Sequence, residues 1–266
     1  MGLVFNGQDF ADYGVVIDSV DSWPKPERDR TVIHVPGKNG DLILDNGCWH
    51  NIDITYHCLV KDEWKSHFPD FIKWLYSTHG YAMLADDNHP GVYRMAEFAG
   101  PITPELWFTT ETGIFDLTFN CQPQMYVIAG QNATVMDFTS ADAGITVSNT
   151  YGMDAYPLVR VFAPGGARLN IDNWSVVIAA NPYDGIEIDC DTETCFALDE
   201  FGDHVGNAGQ YVTITDESGE DRGDFPFLGE TVGMFINAYH SWFDADTETT
   251  TTYTGTMEFT PRWTQI

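Results

Sequence analysis

The chain has 266 residues, of which 43% are hydrophobic and 14% aromatic, so it can bury a sizeable core and is not disordered overall. Twelve basic and 40 acidic residues give a net charge of −28. Such a surface repels nucleic-acid phosphates and anionic membranes. Residues 1–128 contribute −10 of this charge and residues 129–266 contribute −18. The excess of acidic residues indicates either a solvated, aggregation-resistant surface or a surface that nucleic acid passes without binding to it.

The sequence gives no sign of export or of a membrane span. No apolar run approaches the length of a membrane-spanning helix, and the N-terminus lacks a charged region followed by a long apolar one. Its five cysteines are odd in number and do not form a disulfide framework. Cys58 and Cys121 lie among the alternating apolar residues of predicted strands, so we expect both to be small core residues. The lack of a disulfide framework is consistent with folding in a reducing compartment.

The first distinctive segment in chain order is Val35–Leu42. It lies between two apolar runs that predict strands, Thr31–Val35 and Leu42–Leu44. Gly37 and Gly40, with an asparagine between them, predict a tight hairpin tip, because Gly and Asn tolerate positive φ. One lysine and one aspartate are its only charged groups, so the segment cannot do chemistry.

Hydrophobic residues mostly recur with a period of two, which predicts strands with one buried and one wetter face. Three segments show this pattern most clearly: Ile52–Val60, Phe115–Gln122 and Thr252–Thr260. The expected core-facing residues are Ile52, Ile54, Tyr56, Cys58 and Val60; Phe115, Leu117, Phe119 and Cys121; and Tyr253, Met257 and Phe259.

One segment, Asp62–Ser77, has helical periodicity and predicts an amphipathic helix packed on a sheet. Asp62 is a plausible N-cap, and Gly80 lies just beyond the end. Pro69 removes one backbone hydrogen bond and should kink or restart the helix. A turn is predicted at Asp86–Gly91. The apolar face consists of Trp64, Phe68, Phe71, Ile72 and Leu75.

A domain boundary is predicted within Gln122–Asn132, which separates a first domain, 1–128, from a second, 129–266. Beyond it the helical signal disappears and short strands alternate with turns, as is typical of a β-sandwich. The turn signals are Pro164–Gly166, Asn181–Gly185 and Glu217–Gly219.

No motif for catalysis or cofactor binding is present, so we expect neither an enzyme nor a cofactor. The sequence contains no phosphate-binding loop, no dinucleotide fingerprint and no nucleophile elbow. His57 and Cys58 are neighbours on a predicted strand and therefore point to opposite faces. No carboxylate pair of the kind a glycosidase needs stands out.

Metal sites have only weak candidates. Cys190 and Cys195 are five residues apart with His204 nearby, whereas structural zinc sites usually use tighter pairs and four ligands. Two acidic clusters could bind calcium, but neither matches the EF-hand loop, and a chain this acidic produces such clusters by chance. The clusters are Asp189, Asp191 and Glu193, and Asp244, Asp246 and Glu248.

Several separated segments resemble one family. In the first half they are Tyr13–Gly14, Trp23–Pro26, Val35–Leu42, Trp74–Leu75, Leu84–Tyr93 and Phe119–Pro123. In the second half they are Tyr156–Val161, Ile186–Asp189, Phe225–Leu228 and Phe259–Trp263. In order and spacing the set is similar to the distal tail proteins, or baseplate hubs, of phages with long non-contractile tails. One departure is Gly233–Met234, where the family usually has Gly-Asn; it affects that loop and not the fold.

The resemblance implies a mainly β fold in two domains. Residues 1–128 would form a β-sandwich or split-barrel domain with one helix and a protruding hairpin arm. Residues 129–266 would form a galectin-like β-sandwich on the outside. The first domains would build a ring, typically hexameric, in which the arm reaches the neighbouring subunit. The residues of this arm are Pro36, Gly37, Lys38, Asn39, Gly40 and Asp41.

The resemblance also implies partners and a location. The ring would join the tail tube protein to the tail-tip, or tail-associated, protein and offer docking positions to receptor-binding proteins. DNA would pass the lumen without specific binding, and no membrane partner is implied. The location would be the virion tail tip, after assembly in the host cytoplasm.

Two alternatives belong to other functional classes. One is a carbohydrate-binding module, or an adhesin with a sandwich domain, in which Trp174, Tyr183 or Trp242 forms a sugar platform. Such aromatic residues are more often core or rim residues. A glycoside hydrolase is the more distant alternative. A tail hub predicts a ring, whereas a binding module predicts a monomer that binds host polysaccharide.

Overall fold

A computed structural model describes residues 1–21, 24–60, 64–107, 112–216, 219–220 and 224–266. The chain divides into two compact units, residues 1–126 with Ile266 and residues 127–265. The prediction of a mainly β protein with one α-helix is confirmed in the described residues. Among these residues, no helix combines the length and the hydropathy needed to cross a membrane.

The first unit is built on one large sheet with a helix against it. Its strands are β1 Leu3–Phe5, β2 Gln8–Asp9, β3 Val15–Val20, β4 Arg28–Ile33, β5 Leu42–Trp49, β6 Ile52–Val60, β7 Ala82–Asp86, β8 Val92–Phe98, β9 Glu105–Trp107 and β10 Thr112–Val127. A 3₁₀-helix spans Phe10–Tyr13, and helix α1 spans Trp64–Ser77. The main sheet has the order β2-β1-β7-β8-β10-β6-β3, and β9 pairs with β10.

Strands β6 and β10 confirm the period-two pattern. They are antiparallel, with Phe119 opposite Ile54 and Phe115 opposite Cys58. All the core-facing residues predicted for these two strands are buried. Because residues directly opposite each other share a face, the two apolar patterns form one continuous core surface.

Helix α1 packs on this surface, as predicted. Phe71 and Leu75 are fully buried, and the Phe71 ring lies 6.1 Å from that of Phe115. The helix is continuous through Pro69, so of the two predicted effects, a kink or a restart, the restart does not occur. Pro69 is in the second turn, where it removes one backbone donor, and burial of the following apolar residues offsets that loss. The proposed N-cap, Asp62, lies outside the described residues.

The strands of the second unit, apart from the last one in the chain, form two larger sheets and a hairpin. The strands are β11 Thr134–Asp137, β12 Ala143–Asn149, β13 Leu158–Phe162, β14 Ala167–Ile171, β15 Trp174–Ile178, β16 Gly185–Asp189, β17 Thr194–Leu198, β18 His204–Asn207, β19 Val212–Asp216, β20 Thr231–Ala238, β21 Ser241–Asp244, β22 Thr249–Thr252, β23 Thr256–Thr260 and β24 Thr264–Gln265. Short 3₁₀-helices span Ile128–Gln131 and Gly209–Tyr211.

The two larger sheets have the orders β11-β23-β13-β16-β17-β18 and β12-β20-β14-β15-β19. Alternate residues on their central strands are buried, as in β14, where Ala167, Leu169 and Ile171 are fully covered. One buried face per sheet is the pattern of a β-sandwich. Strands β21 and β22 pair only with each other among the described residues.

The third predicted strand is only partly correct. Met257 and Phe259 are buried on β23, but β22 ends at Thr252 and Tyr253 lies between the two strands. The N–H of Tyr253 donates to the carbonyl of His240, at 2.8 Å. Because Ser241 lies opposite Thr252, this bond continues the β21–β22 hairpin by one pair, and Tyr253 belongs to the end of that hairpin rather than to β23. The alternation within Thr252–Thr260 does not reveal this boundary.

All five cysteines are free thiols. Cys58 and Cys121 are buried in the core of the first unit, as predicted. Burial raises the pKa of the Cys121 thiol to about 12 and that of the Cys195 thiol to about 11. These thiols are neutral at physiological pH and act as small apolar side chains.

Candidate subunit-contact hairpin

Strands β4 and β5 form a separate two-stranded sheet, which we call the arm, residues 28–49. In the arm Ile33 lies opposite Leu42 and Val32 opposite Ile43. No other described strand pairs with either edge of the arm. An isolated two-stranded hairpin is marginally stable in water, so the arm lacks the support that the strands of the larger sheets have.

The distal half of the arm exposes apolar side chains on both of its faces. Val32 and Ile43 share one face and are 54% and 55% exposed, while Ile33 and Leu42 on the other face are 41% and 42% exposed. Leu44 next to them is also exposed. Contiguous apolar surface of this kind marks an interaction site rather than a solvated surface.

The proximal half of the arm is polar and internally bonded. Arg28 forms an ion pair with Asp45 at 3.0 Å, and its guanidinium lies 4.9 Å from the Trp49 ring centroid. The amide of Asn46 donates to Asp29 at 3.0 Å. These contacts fix the base of the arm and leave its distal end as the apolar part.

The predicted arm residues Pro36–Asp41 form the loop at the distal end, and all of them are exposed. Gly37 and Gly40 have φ of +81° and +82°, so both occupy the left-handed region that the sequence predicts for them. The ring nitrogen Nδ1 of His34 lies 3.0 Å from Oδ1 of Asp41 and closes the loop at its base.

The tip differs from the prediction in two respects. Eight residues, 34–41, connect the strands, so the tip is wider than a tight turn. Asn39 does not have a positive φ. The two glycines supply both left-handed positions, and the N–H of Lys38 bonds the carbonyl of Val35 at 3.1 Å, so the asparagine needs no special conformation.

The outer face of β6 and β10 is a second surface, which we call the polar face. It consists of three directly opposed pairs: Asp53 with Asn120, Thr55 with Thr118, and His57 with Asp116. Their side chains bond across the strands at 2.8, 3.0 and 2.7 Å, respectively. The polar face contains no lysine or arginine.

The residues considered for zinc have other partners. Nε2 of His204 lies 2.8 Å from Glu187, and its ring stacks on Phe196 with centroids 4.4 Å apart. Cys190 and Cys195 are buried. Within the described parts of the chain, no three or more His, Cys, Asp or Glu side chains form a group that could hold a metal ion.

The two acidic clusters are turn elements. The Asp189 carboxylate accepts the N–H groups of Asp191 and Thr192, and that of Asp244 accepts those of Asp246 and Thr247. Hydrogen bonds of this kind, from backbone N–H groups two or three residues further along the chain to an aspartate side chain, are typical of turns.

The three aromatic residues considered for a sugar platform do not form a set of exposed rings, although Trp174 and Trp242 line one cavity. Trp174 is 4% exposed and belongs to the core. The Tyr183 ring packs edge-on against that of Tyr211, with centroids 5.9 Å apart. Trp242 lies beneath the guanidinium of Arg168, which is 3.6 Å from its ring centroid. The three rings therefore do not form one platform.

No protein-family model and no curated protein matches the sequence. Solved structures do match. The crystal structure of Dit (gp 19.1) of phage SPP1, a hub adsorption apparatus protein of phages that infect Gram-positive bacteria, aligns with a TM-score of 0.59 at 16% identity. The alignment covers 99% of this chain and 98% of that one. This chain has the Dit fold.

Two structures of the phage p2 baseplate, in its activated conformation with strontium and with calcium, also align. Their TM-scores are 0.45 and 0.47, at 12% and 11% identity, and each covers 87% of this chain and 92% of that chain. The alignment with SPP1 Dit confirms, at the level of the fold, the resemblance to distal tail proteins drawn from the sequence motifs.

Within the Dit fold, the sequence identified the loop of the arm but not its apolar strands as contact candidates. The signal was present, because Val32–Ile33 and Leu42–Leu44 are consecutive apolar residues rather than alternating ones. Continuous runs usually indicate a strand buried on both faces. Only the structure shows that these two lie in an arm that nothing in the described part of the subunit covers.

Proposed function

We propose that this chain is a structural protein of a phage tail. It assembles into a ring, hexameric by the family resemblance, at the distal end of the tail. There it joins the tail tube to the tail tip and to the adhesion proteins. The Dit fold over 99% of the chain supports this assignment, and the exposed apolar arm is the observation that carries it.

The arm has the chemistry of a subunit contact. Fully burying one Val, Leu or Ile side chain stabilises an assembly by about 1.5–3 kcal/mol relative to leaving it exposed. Five such side chains, about half exposed, lie at the distal end of the arm. Pairing with a neighbouring subunit would also satisfy the open edges of β4 and β5.

The geometry of such a contact favours a ring. The arm would dock on a different surface of the next subunit, which makes the contact heterologous. Heterologous contacts close into a ring when the rotation between subunits divides a full turn. The apolar arm therefore accounts for self-assembly without any catalytic group.

The oligomeric state of the whole protein tests this proposal. Light scattering and negative-stain images should show rings of one stoichiometry, either for the protein alone or with a coexpressed tail protein. Replacing residues 34–41 with a short Gly-Ser linker should weaken ring formation while each subunit keeps its β circular-dichroism spectrum. A strictly monomeric wild-type protein under all these conditions would contradict the proposal.

The polar face is suited to line the lumen of the ring. The side chains of the polar face bond one another and include no Lys or Arg, and His57 is paired with two carboxylates, so DNA phosphates would pass without binding. The charge of the second half of the chain, although larger, is not needed for this role. The lumen assignment thus depends on a few residues of β6 and β10.

Gold labelling locates the polar face in the ring. Cys48 is the exposed native cysteine, so the labelling background carries Cys48→Ser. A maleimide–gold particle on Thr118→Cys should then appear at the central opening in negative-stain images. The matched control, Thr146→Cys on β12, should place the particle away from the opening. Gold at the periphery in the Thr118→Cys ring would show that another face lines the lumen.

A further inference from the structure

Strand β12 lies at one end of the five-stranded sheet, next to β20. The two strands pair along residues 143–147, and a register shift between Val147 and Asn149 ends the regular ladder. No described strand pairs with the other edge of β12. An open edge of this kind presents main-chain N–H and C=O groups to which a strand of another chain can bond.

Hydrogen bonds on the far side of β20 show which residues of β12 bond it. The N–H of Tyr239, just after β20, bonds the carbonyl of Arg168 beside β14 at 2.9 Å. Successive residues of an antiparallel strand bond alternately to its two neighbours. Ile236, three positions before Tyr239, therefore bonds toward β12, where it lies opposite Ile145.

The same alternation along β12 turns the main-chain groups of Gly144 and Thr146 outward, because these residues flank Ile145. Both residues are exposed. Their outward N–H and C=O groups have no hydrogen-bond partner among the described residues. The open edge therefore offers two donors and two acceptors at the spacing of a β-ladder.

The open edge of β12 differs from the other sheet edges in charge. Charged side chains on an end strand oppose pairing with another chain. The other end strands of the three larger sheets, β2, β3, β11, β18 and β19, each contain an aspartate or a histidine. Neither β12 nor β20 contains an Asp, Glu, Lys, Arg or His, although residues 129–266 carry a net charge of −18. The composition of β12 thus leaves its edge unprotected against strand addition.

An exposed apolar side chain lies beside this edge. Phe235 on β20 lies opposite Thr146 and is 60% exposed. A Cβ added at Gly144 would overlap the Phe235 ring, so the ring reaches across β12 because Gly144 has no side chain. A strand added to β12 would place an apolar side chain near this ring, as cross-strand neighbours do in a sheet.

The charges around the edge decide which kind of chain it can accept. Asp142 precedes β12 and Glu230 precedes β20, so in this antiparallel pair one exposed carboxylate stands at each end of the edge. A second copy joined through β12 would bring two strongly acidic units together, and like charges oppose such association. A segment with basic residues on both sides of an apolar stretch would be attracted instead.

We propose that the open edge of β12 binds an extended segment of another protein by strand addition. Gly144 and Thr146 bond the main chain of this segment, Phe235 contacts an apolar side chain, and Asp142 and Glu230 attract basic residues that flank it. The site goes beyond the ring contact made by the arm. It does not depend on ring assembly, since all its residues belong to the second unit.

Fluorescence anisotropy with labelled peptides and hydrogen–deuterium exchange on the full chain test the proposal. The probe is the peptide KVTVTVK, capped at both ends. Two control peptides change one property each: EVTVTVE reverses the terminal charges, and KGSGSGK keeps them but lacks the apolar, strand-forming residues. The probe should bind more tightly than either control and should slow exchange over residues 143–147. A probe that binds no better than a control, or that protects another strand instead, would overturn the proposal.

Matched proline variants locate the bound peptide. Thr146→Pro removes one outward N–H without removing a bond of the β12–β20 ladder, and proline is tolerated at such edge positions. It should weaken binding at least tenfold, the effect of one lost hydrogen bond. The control is Val135→Pro on β11, where the N–H of Phe138 bonds the carbonyl of Gly255 beside β23, so that the N–H of Val135 points outward. Binding to Val135→Pro should equal that of the wild type.

Phe235→Thr is a second variant, which keeps the main-chain edge complete and removes the apolar ring. It should weaken binding several-fold, because the contact with the apolar side chain of the peptide is lost. Unchanged affinity in both Thr146→Pro and Phe235→Thr would overturn the proposal. Self-association that Thr146→Pro abolishes would identify a second copy as the occupant and would also overturn it. Ring formation through the arm should be equal in all these variants, so its failure leaves this test independent.

Discussion

The guanidinium of Arg262 donates two hydrogen bonds to the carboxylate of Asp189, at 2.7 and 3.2 Å. Arg262 adopts a left-handed backbone with φ of +55°, which costs about 1–3 kcal/mol in a residue other than glycine. Its N–H donates to the carbonyl of Gly130 at 2.8 Å, which holds that conformation. Both residues belong to segments that resemble the distal tail family, and the fold brings these segments together.

Replacing Arg262 with Met should destabilise the second unit by about 2–3 kcal/mol, since it leaves a largely buried carboxylate without its partner. Urea unfolding followed by tryptophan fluorescence measures the loss. The double variant Asp189→Asn with Arg262→Met should recover part of it, because no uncompensated charge remains. A double variant no more stable than Arg262→Met alone would show that the pair is not the source of the loss.

The same pair predicts a dependence on pH. Partial burial opposes ionisation of Asp189, but the hydrogen bonds and the charge of Arg262 outweigh it and lower the carboxyl pKa. A lowered pKa contributes stability above the unfolded value, and this stability is lost as pH falls through the folded pKa. The difference in unfolding free energy between wild type and Arg262→Met should therefore be full at pH 7 and shrink below about pH 4. A difference that is constant from pH 7 to pH 2.5 would contradict this assignment.

Hydrophobic periodicity in the sequence was sufficient to predict those strands and helices that bury one face in the core, namely β6, β10 and α1. It failed at Tyr253, whose N–H bonds the His240 carbonyl and so extends the β21–β22 hairpin rather than β23. The Asp189–Arg262 pair joins residues 73 positions apart, and no local signal specifies it. The loop of the arm could be predicted from its glycines, but the absence of a covering strand is a property of the folded subunit.

Substituting an apolar residue of the arm should separate assembly from folding. Val32 and Val135 are both strand valines, 54% and 61% exposed, but only Val32 lies in the arm. Val32→Asp should abolish or strongly weaken ring formation because it places a charge in a contact that becomes desolvated. Val135→Asp should assemble like the wild type. Both subunits should keep the wild-type circular-dichroism spectrum, and light scattering measures the assembly. Loss of rings in both variants would argue against a specific role for the arm.

His57 should titrate above its ordinary value. The imidazole donates hydrogen bonds to the carboxylates of Asp116 and Asp21, at 2.7 and 3.1 Å, and these bonds raise its pKa above 6.5. A raised pKa contributes stability that is present below the unfolded value and lost as pH rises through the folded one. Because the side chain is 38% exposed, the contribution should be only about 0.5 kcal/mol.

NMR titration of the His57 ring measures this pKa, with His57→Gln to assign the resonance. Asp116→Asn should lower the pKa toward its ordinary value, because it removes the charge while keeping the shape of the side chain. A wild-type pKa at or below 6.5 would mean that the two carboxylates do not hold the imidazole as the structure shows.

Two glycines should respond differently to the same substitution. A Cβ at Gly130 would lie 2.6 Å from the backbone nitrogen of Trp263, which cannot move without disturbing its neighbours. Gly130→Ala should therefore destabilise the second unit by about 1–3 kcal/mol through overpacking. At Gly144 the atoms nearest to the added Cβ all belong to the ring of Phe235, a side chain that is 60% exposed and can move into solvent by a change of rotamer. Gly144→Ala should cost less than about 1 kcal/mol. Urea unfolding of the two variants gives the comparison, and equal losses would show that the Trp263 backbone yields as easily as an exposed ring.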